Sequence, residues 1–376
     1  MGAQFVTSLF GLSDPAPARD WAEAERLVRF HLLEGMVVAR DRAMGGGLIP
    51  AAARSELEPV YHGRGLETTL VLESADRARA ALSALGIPSL VFKGAALIGE
   101  AGYPDPGARR MDDADLLVRI EDATRAVEGL VAQGFSPVTG WEAGRVDWVD
   151  AVTLHDRQAA TPFAPAIDLH WRTDYHRLRF GGDQDSALWE GADLEKGRPS
   201  PATHLVCIAE HFLKHLRFIV LVHAYPDLVR IAATVHDWDR VAVLVEASRL
   251  QNGLRALLSV LARDLGAPIP QPLFDGVKGD LGLSLAPTAL LGKRRVVEGR
   301  LNGLIHRGRL LGSPGALFAD LQEAMFPPAR WLGARYGSRG ALGWARYAAD
   351  IARWMAYRGR SPASPNQELF DPRARE

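Results

Sequence analysis

Behind Asp20 the apolar positions Trp21, Ala24, Leu27, Val28 and Leu32 recur at steps of three and four residues. That spacing predicts an amphipathic helix with Asp20 as its N-cap. Gly45-Gly46-Gly47 breaks the pattern as a plain loop, since no Gly-Lys-Ser/Thr follows and no strand precedes it. Ala51 to Leu85, rich in Glu, Arg and Ala, predicts a second helical stretch interrupted near Pro59 and Gly63. At Gly86 the texture changes. Ile87 to Phe92 is a short β-type run stopped by Lys93-Gly94, and Ala95 to Ile98 then looks helical. Asp113 to Val118 predicts a strand, Glu121 to Gln133 a helix ended by Gly134, and Trp148 to Leu154 and Ala166 to Trp171 two more strands. From Pro201 to about Ala262 the chain is strongly helical, and beyond Arg360 three prolines predict a frayed tail. There is no internal repeat.

The chain has 376 residues, 47% hydrophobic and 24% charged, which predicts an ordinary globular protein of two or three units and excludes disorder and collagen-like repeats. One cysteine, Cys207, rules out an intramolecular disulfide and a multi-cysteine metal centre, so a reducing compartment, the cytoplasm, is expected. No apolar run approaches the roughly 18 residues of a membrane helix, and no secretory signal is evident. A myristoylation motif fails at Val6, where Ser or Thr is needed. The net charge of −1 conceals an asymmetry, because residues 291–376 hold fifteen Lys/Arg against seven Asp/Glu. Arginines spread in this way over helices read as a solvated face and not as a nucleic-acid groove.

Residues two apart in a strand point to one side, so Asp113 and Asp115 present two carboxylates from the same edge. Such a pair is costly without a cation, and a hard divalent ion such as Mg²⁺ is one remedy; an exposed strand end carrying two acids is the plainer one. A third acid, Asp168, interrupts the apolar run Ile167-Asp168-Leu169-His170-Trp171, where an unpaired charge is expensive. If the two strands are neighbours, three carboxylates converge. Upstream, Gly94 has no Cβ and opens a helix, so amides at its turn can approach a phosphate.

Val91-Phe92-Lys93-Gly94-Ala95-Ala96-Leu97, Tyr103-Pro104-Asp105-Pro106-Gly107-Ala108-Arg109, Met111-Asp112-Asp113-Ala114-Asp115-Leu116-Leu117-Val118 and Ile167-Asp168-Leu169-His170-Trp171 together resemble the bacterial uncharacterised nucleotidyltransferases of the polymerase-beta-like superfamily. The resemblance runs from about Leu82 to Pro270. It implies metal-binding catalytic acids at Asp113, Asp115 and Asp168, a glycine turn at Gly94 with Lys93 and Ala95 beside it, and Arg109 on the nucleotide side. Ala95 departs from the Ser or Gly usual after the turn glycine. The implied fold is α+β: a nucleotidyltransferase palm with a mixed β-sheet in a catalytic domain at 86–200, an N-terminal helical region at 1–85 and a larger C-terminal helical domain at 201–376. The implied activity is Mg²⁺-dependent transfer of a nucleoside monophosphate from a triphosphate, ATP by expectation, to an unknown acceptor hydroxyl. The alternative is a non-catalytic or antitoxin-like module that binds a nucleotide without turnover.

His211 and His215 lie four apart on a predicted helix, but the Glu of a His-Glu-x-x-His zinc motif is missing. The helix is instead expected to pack beside the catalytic sheet, with Lys214 or His215 near substrate. His170 shares a strand face with Asp168 and either orients it or makes a structural hydrogen bond. Lys93 has two readings, a phosphate ligand or a salt bridge. Trp141, Trp148 and Trp171 are read as core before base-stacking residues.

Overall fold

The computed structural model describes residues 2–99, 102–103, 105–138, 151–159, 165–172, 188–216, 220–277, 285–293, 300–311, 313–315, 317–318, 322, 326 and 329–356. Trp141, Trp148 and the tail beyond Arg360 lie outside them. Four helices come first: α1 (Gly2–Ser8), α2 (Trp21–Phe30), α3 (Glu34–Ala43) and α4 (Ala51–Ala84). The Asp20 side chain accepts the Glu23 amide at 3.1 Å and so caps α2 as expected. Leu32 does not extend the apolar face. The chain turns left-handed there (φ 58°), which exposes Leu32 and buries Leu33 instead.

The expected break at Pro59 is absent, because α4 runs unbroken through it. Pro59 lies on the exposed side while Leu57 and Tyr61 flank it in the core. Burying that face outweighs a proline penalty of about 3 kcal/mol. Further along the helix Val71, Ala75, Ala78 and Leu82 form a stripe of one helical period against the sheet.

Among the described residues the sheet has five strands, β1 (Ser89–Phe92), β2 (Asp113–Val118), β3 (Phe135–Pro137), β4 (Ala151–Asp156) and β5 (Ala166–His170), in the order β1-β2-β5-β4-β3. The β2 and β5 strands are parallel, and the other pairings are antiparallel. The crossover between the parallel pair contains α5 (Ala123–Ala132), whose Ala123, Ala126, Val127 and Leu130 pack with α4 against Ala114, Leu116, Val118, Ile167 and Leu169. Trp171 is buried in this same cluster, so its core reading stands. Asp156 at the end of β4 is tied to Ser74 and Arg77 of α4.

After the sheet come α6 (Pro201–His215), α7 (Ala224–Ala232), α8 (Trp238–Ala247) and α9 (Gln251–Arg263), then shorter helical pieces up to Ala356. Ser200 caps α6 through the Thr203 amide, with Pro201 at the first helical position. A second large cluster joins the two helical regions: Phe5, Val6, Phe10, Val37 and Leu57 share one core with Leu205, Phe212, Tyr225, Leu257 and Leu310. Among the described residues no helix is long and apolar enough to cross a membrane.

Candidate active site

The parallel register pairs Asp115 with Asp168 and Leu117 with His170. Period-two geometry then puts Asp113, Asp115, Asp168 and His170 on the sheet face opposite the α4–α5 core. Asp115 and His170 are buried, and Asp113 and Asp168 partly so. One ligand atom from each of Asp115, Asp168 and His170 falls within 4.8 Å of the others, and this is the one such cluster among the described residues. Asp113, the first residue of β2, lies one pleat away on the same face.

The strand face shared with Asp168 leaves two readings of His170, orienting Asp168 or making a structural hydrogen bond. The structure has its Nε2 donating to Asp115 Oδ1 at 2.9 Å, across the β2–β5 boundary. Asp168 Oδ1 accepts from the Thr153 hydroxyl of β4 at 2.6 Å. The sequence offered no sign of Thr153, since nothing in its pattern gives the β4–β5 register.

Both readings of Lys93 concerned one side chain, and the salt bridge is what the structure shows: Nζ lies 2.6 Å from Asp115 Oδ1. Burial works against the charge on Asp115, but Lys93 and His170 overcome it and hold the carboxyl well below the usual range. Asp113 has the opposite fate. Burial, then the charges of Asp115 and Asp168, push its carboxyl up to about 7.

The segment after Gly94 is a single 3₁₀ turn, Ala95–Leu97, and not the helix expected from its composition. Gly94 itself has ordinary helical angles. Its missing Cβ is explained by a close approach from within the protein, because a Cβ there would lie 2.3 Å from Arg109 Nη1. Arg109 forks onto Asp227 of α7, with Nη2 at 2.8 Å and Nε at 3.0 Å, and Tyr103 donates its hydroxyl to the same carboxylate at 2.8 Å. Burial opposes the Asp227 charge, but Arg109 and Tyr103 more than offset it, so the carboxyl lies below its usual range. Tyr103 lies within the family resemblance without a role there; the pairings of Asp227 with Arg109 and Tyr103 span 118 and 124 residues and are invisible to local pattern.

The His211 and His215 rings lie 4.4 Å apart, tilted at 48°, near the end of α6, and belong to no three-residue ligand cluster among the described residues. Lys214 sits in the last turn of that helix.

Two or three carboxylates with an imidazole suit a divalent cation. Asp113 is raised first by burial and then by Asp115 and Asp168, so added positive charge on this face would lower the cost of ionising it.

The molecule is thus a mixed α+β protein with an acid cluster on one face of its sheet. Residues 17–266, more than half of the chain, match the family described as uncharacterised nucleotidyltransferases, and the chain belongs to that family. It is a nucleotidyltransferase, and membership implies a nucleoside triphosphate substrate and a divalent metal. No curated protein and no solved structure matches it.

Proposed function

We propose that this chain transfers a nucleoside monophosphate from a nucleoside triphosphate, with ATP as the donor, to a hydroxyl of a small-molecule, sugar, peptide or protein acceptor, releasing pyrophosphate. The observation that carries this reading is the parallel β2–β5 register, which sets Asp115 beside Asp168 with His170 within ligating distance. The sheet serves as a palm within a catalytic unit at 86–200, between helical regions at 1–85 and 201–376.

Asp113, Asp115 and Asp168 would hold Mg²⁺, with His170 fixing Asp115 through its Oδ1. A bound Mg²⁺ neutralises phosphate charge in such chemistry. Thr153 fixes one oxygen of Asp168, and its other oxygen is the base for the acceptor hydroxyl proton. Lys93, Gly94 and Ala95 face the triphosphate, with Arg109 packed against Gly94 from behind. The protein's contribution is positioning and preorganised charge.

The purified protein, incubated with each of the four labelled nucleoside triphosphates, Mg²⁺ and a broad acceptor panel, is expected to release pyrophosphate and to label an acceptor or itself. Tight binding of one triphosphate with no pyrophosphate from any would sink the transferase reading and favour the binding module.

A further inference from the structure

Lys93 occupies a backbone conformation that an ordinary turn residue avoids. Its φ is 50°, and among the described residues only Leu32 shares the left-handed region without being glycine. Two neighbours hold it there. Buried His204 of α6 places Nε2 3.1 Å from the Lys93 carbonyl, and since a carbonyl only accepts, the imidazole donates. At the next residue the Arg109 guanidinium fills the space beside Gly94, fixed in turn by Asp227. Backbone held at both residues leaves the side chain as the adjustable part. Its ammonium rests on Asp115 Oδ1, 5.2 Å from the centre of the Phe92 ring.

That oxygen belongs to the carboxylate at the centre of the ligand cluster, which His170 also touches and Asp168 faces. A cation gathered by Asp113, Asp115 and Asp168 would meet the Lys93 ammonium on the Asp115 carboxylate, and like charges at such range repel strongly in a buried setting. A lysine has a long flexible stem and can leave; an aspartate on a strand cannot.

We infer that the Lys93 ammonium and a divalent ion compete for Asp115, so that metal entry turns Lys93 from the carboxylate to the phosphate oxygens of the triphosphate. His204 is the positioning residue that keeps the Lys93 backbone still while the side chain moves. The inference rests on the metal-dependent reading of the site given above. In its terms the enzyme accepts a nucleotide only on a metal-loaded site, because until then its phosphate-seeking cation is engaged elsewhere.

The test is calorimetric titration with Mn²⁺ alone, then with ATP at saturating Mn²⁺. Lys93→Met is expected to bind Mn²⁺ at least tenfold more tightly than the wild type, since the competitor is gone, and ATP at least tenfold more weakly. His204→Leu, with Lys93 present but its carbonyl unheld, is expected to weaken ATP binding in the same direction. Lys93→Gln is measured beside Lys93→Met, with circular dichroism on all variants, so that one misfolded variant does not decide the result. Mn²⁺ affinity equal to or weaker than wild type in the folded Lys93 variants overturns the competition, and so does unchanged ATP affinity. The two readings fail differently: if Asp168→Asn and Asp115→Asn leave Mn²⁺ binding intact, it is the metal site that falls, whatever Lys93 does.

Discussion

The Lys93 ammonium and the His170 hydrogen bond support the Asp115 carboxylate, whereas Asp113 has burial and two neighbouring carboxylates against it. The two acids look alike in the sequence, and only the β1–β2 and β2–β5 contacts separate them. Asp113→Asn removes a repelling charge and is expected to raise Tm in chelator-containing buffer at pH 8. Asp115→Asn leaves the Lys93 ammonium facing a neutral amide and is expected to lower stability by about 1–3 kcal/mol. Both should cut pyrophosphate release by roughly a hundredfold or more. Thermal melts with and without chelator, beside a pyrophosphate assay, check all of this; a matching shift in the two variants would refute the asymmetry. Gly94 bears on a different bond. Gly94→Ala drives a methyl into the Arg109 guanidinium and is expected to cost about 3–5 kcal/mol by stranding Asp227. Adding Asp227→Asn should recover part of the loss, as read by urea denaturation; no recovery would mean that the damage lies elsewhere.

Among the elements, β2, β5, α5 and the α2 cap were legible because each is encoded locally, by period-two alternation, by 3.6-residue spacing or by one side chain. The three-residue strand β3 and the continuity of α4 were not, since the first is too short to show a period and the second is decided by burial around an exposed proline. The acids of the site were legible for the same reason as their strands. Lys93 was legible as a salt-bridge candidate, but its partner was not, nor was Thr153 on Asp168, nor the second layer of His204 on the Lys93 carbonyl and Asp227 on Arg109, because each reaches across from another element. The segment 106–108 that delivers Arg109 is wedged between α3 and α4: a Cβ at Gly35 would lie 2.0 Å from the Gly107 carbonyl oxygen, and one at Gly107 would lie 2.8 Å from the Tyr61 ring. Gly35→Ala must therefore push this segment aside. A loss of about 1–3 kcal/mol is expected, on the scale of overpacked cores, together with weaker ATP binding, because Arg109 moves with its neighbours. Lost stability with unchanged nucleotide affinity would show that the wedge does not reach the site.

Across the whole molecule, the sheet and the helices after residue 200 meet through buried polar groups as well as apolar ones. Burial holds the His204 imidazole down to about 4, with Arg198 and Arg109 opposing its protonation and the Lys93 carbonyl and Asp227 favouring it. An unfolded histidine titrates near 6.5. The folded value is the lower one, so His204 contributes stability that is full above about pH 6.5 and is lost as pH falls from there through 4, in total on the order of 3 kcal/mol. Tm is expected to drop over this window, and His204→Gln to flatten the slope; an equal slope in the variant would place the acid sensitivity elsewhere.

The pairs His204–Lys93, Asp227–Arg109 and Asp227–Tyr103 join residues 111, 118 and 124 positions apart. During synthesis, at about 5–20 residues per second, the turn bearing Lys93 therefore leaves the ribosome many seconds before its partners exist. The five described strands are made by then, so a nascent chain stopped shortly after His170 has their full sequence but lacks the His204 that holds the Lys93 carbonyl and the Asp227 that fixes Arg109 beside Gly94. The turn is thus completed by α6 and α7, helices made after the described strands, and a polypeptide that ends before them carries the acids without the groups that hold Lys93 and Arg109.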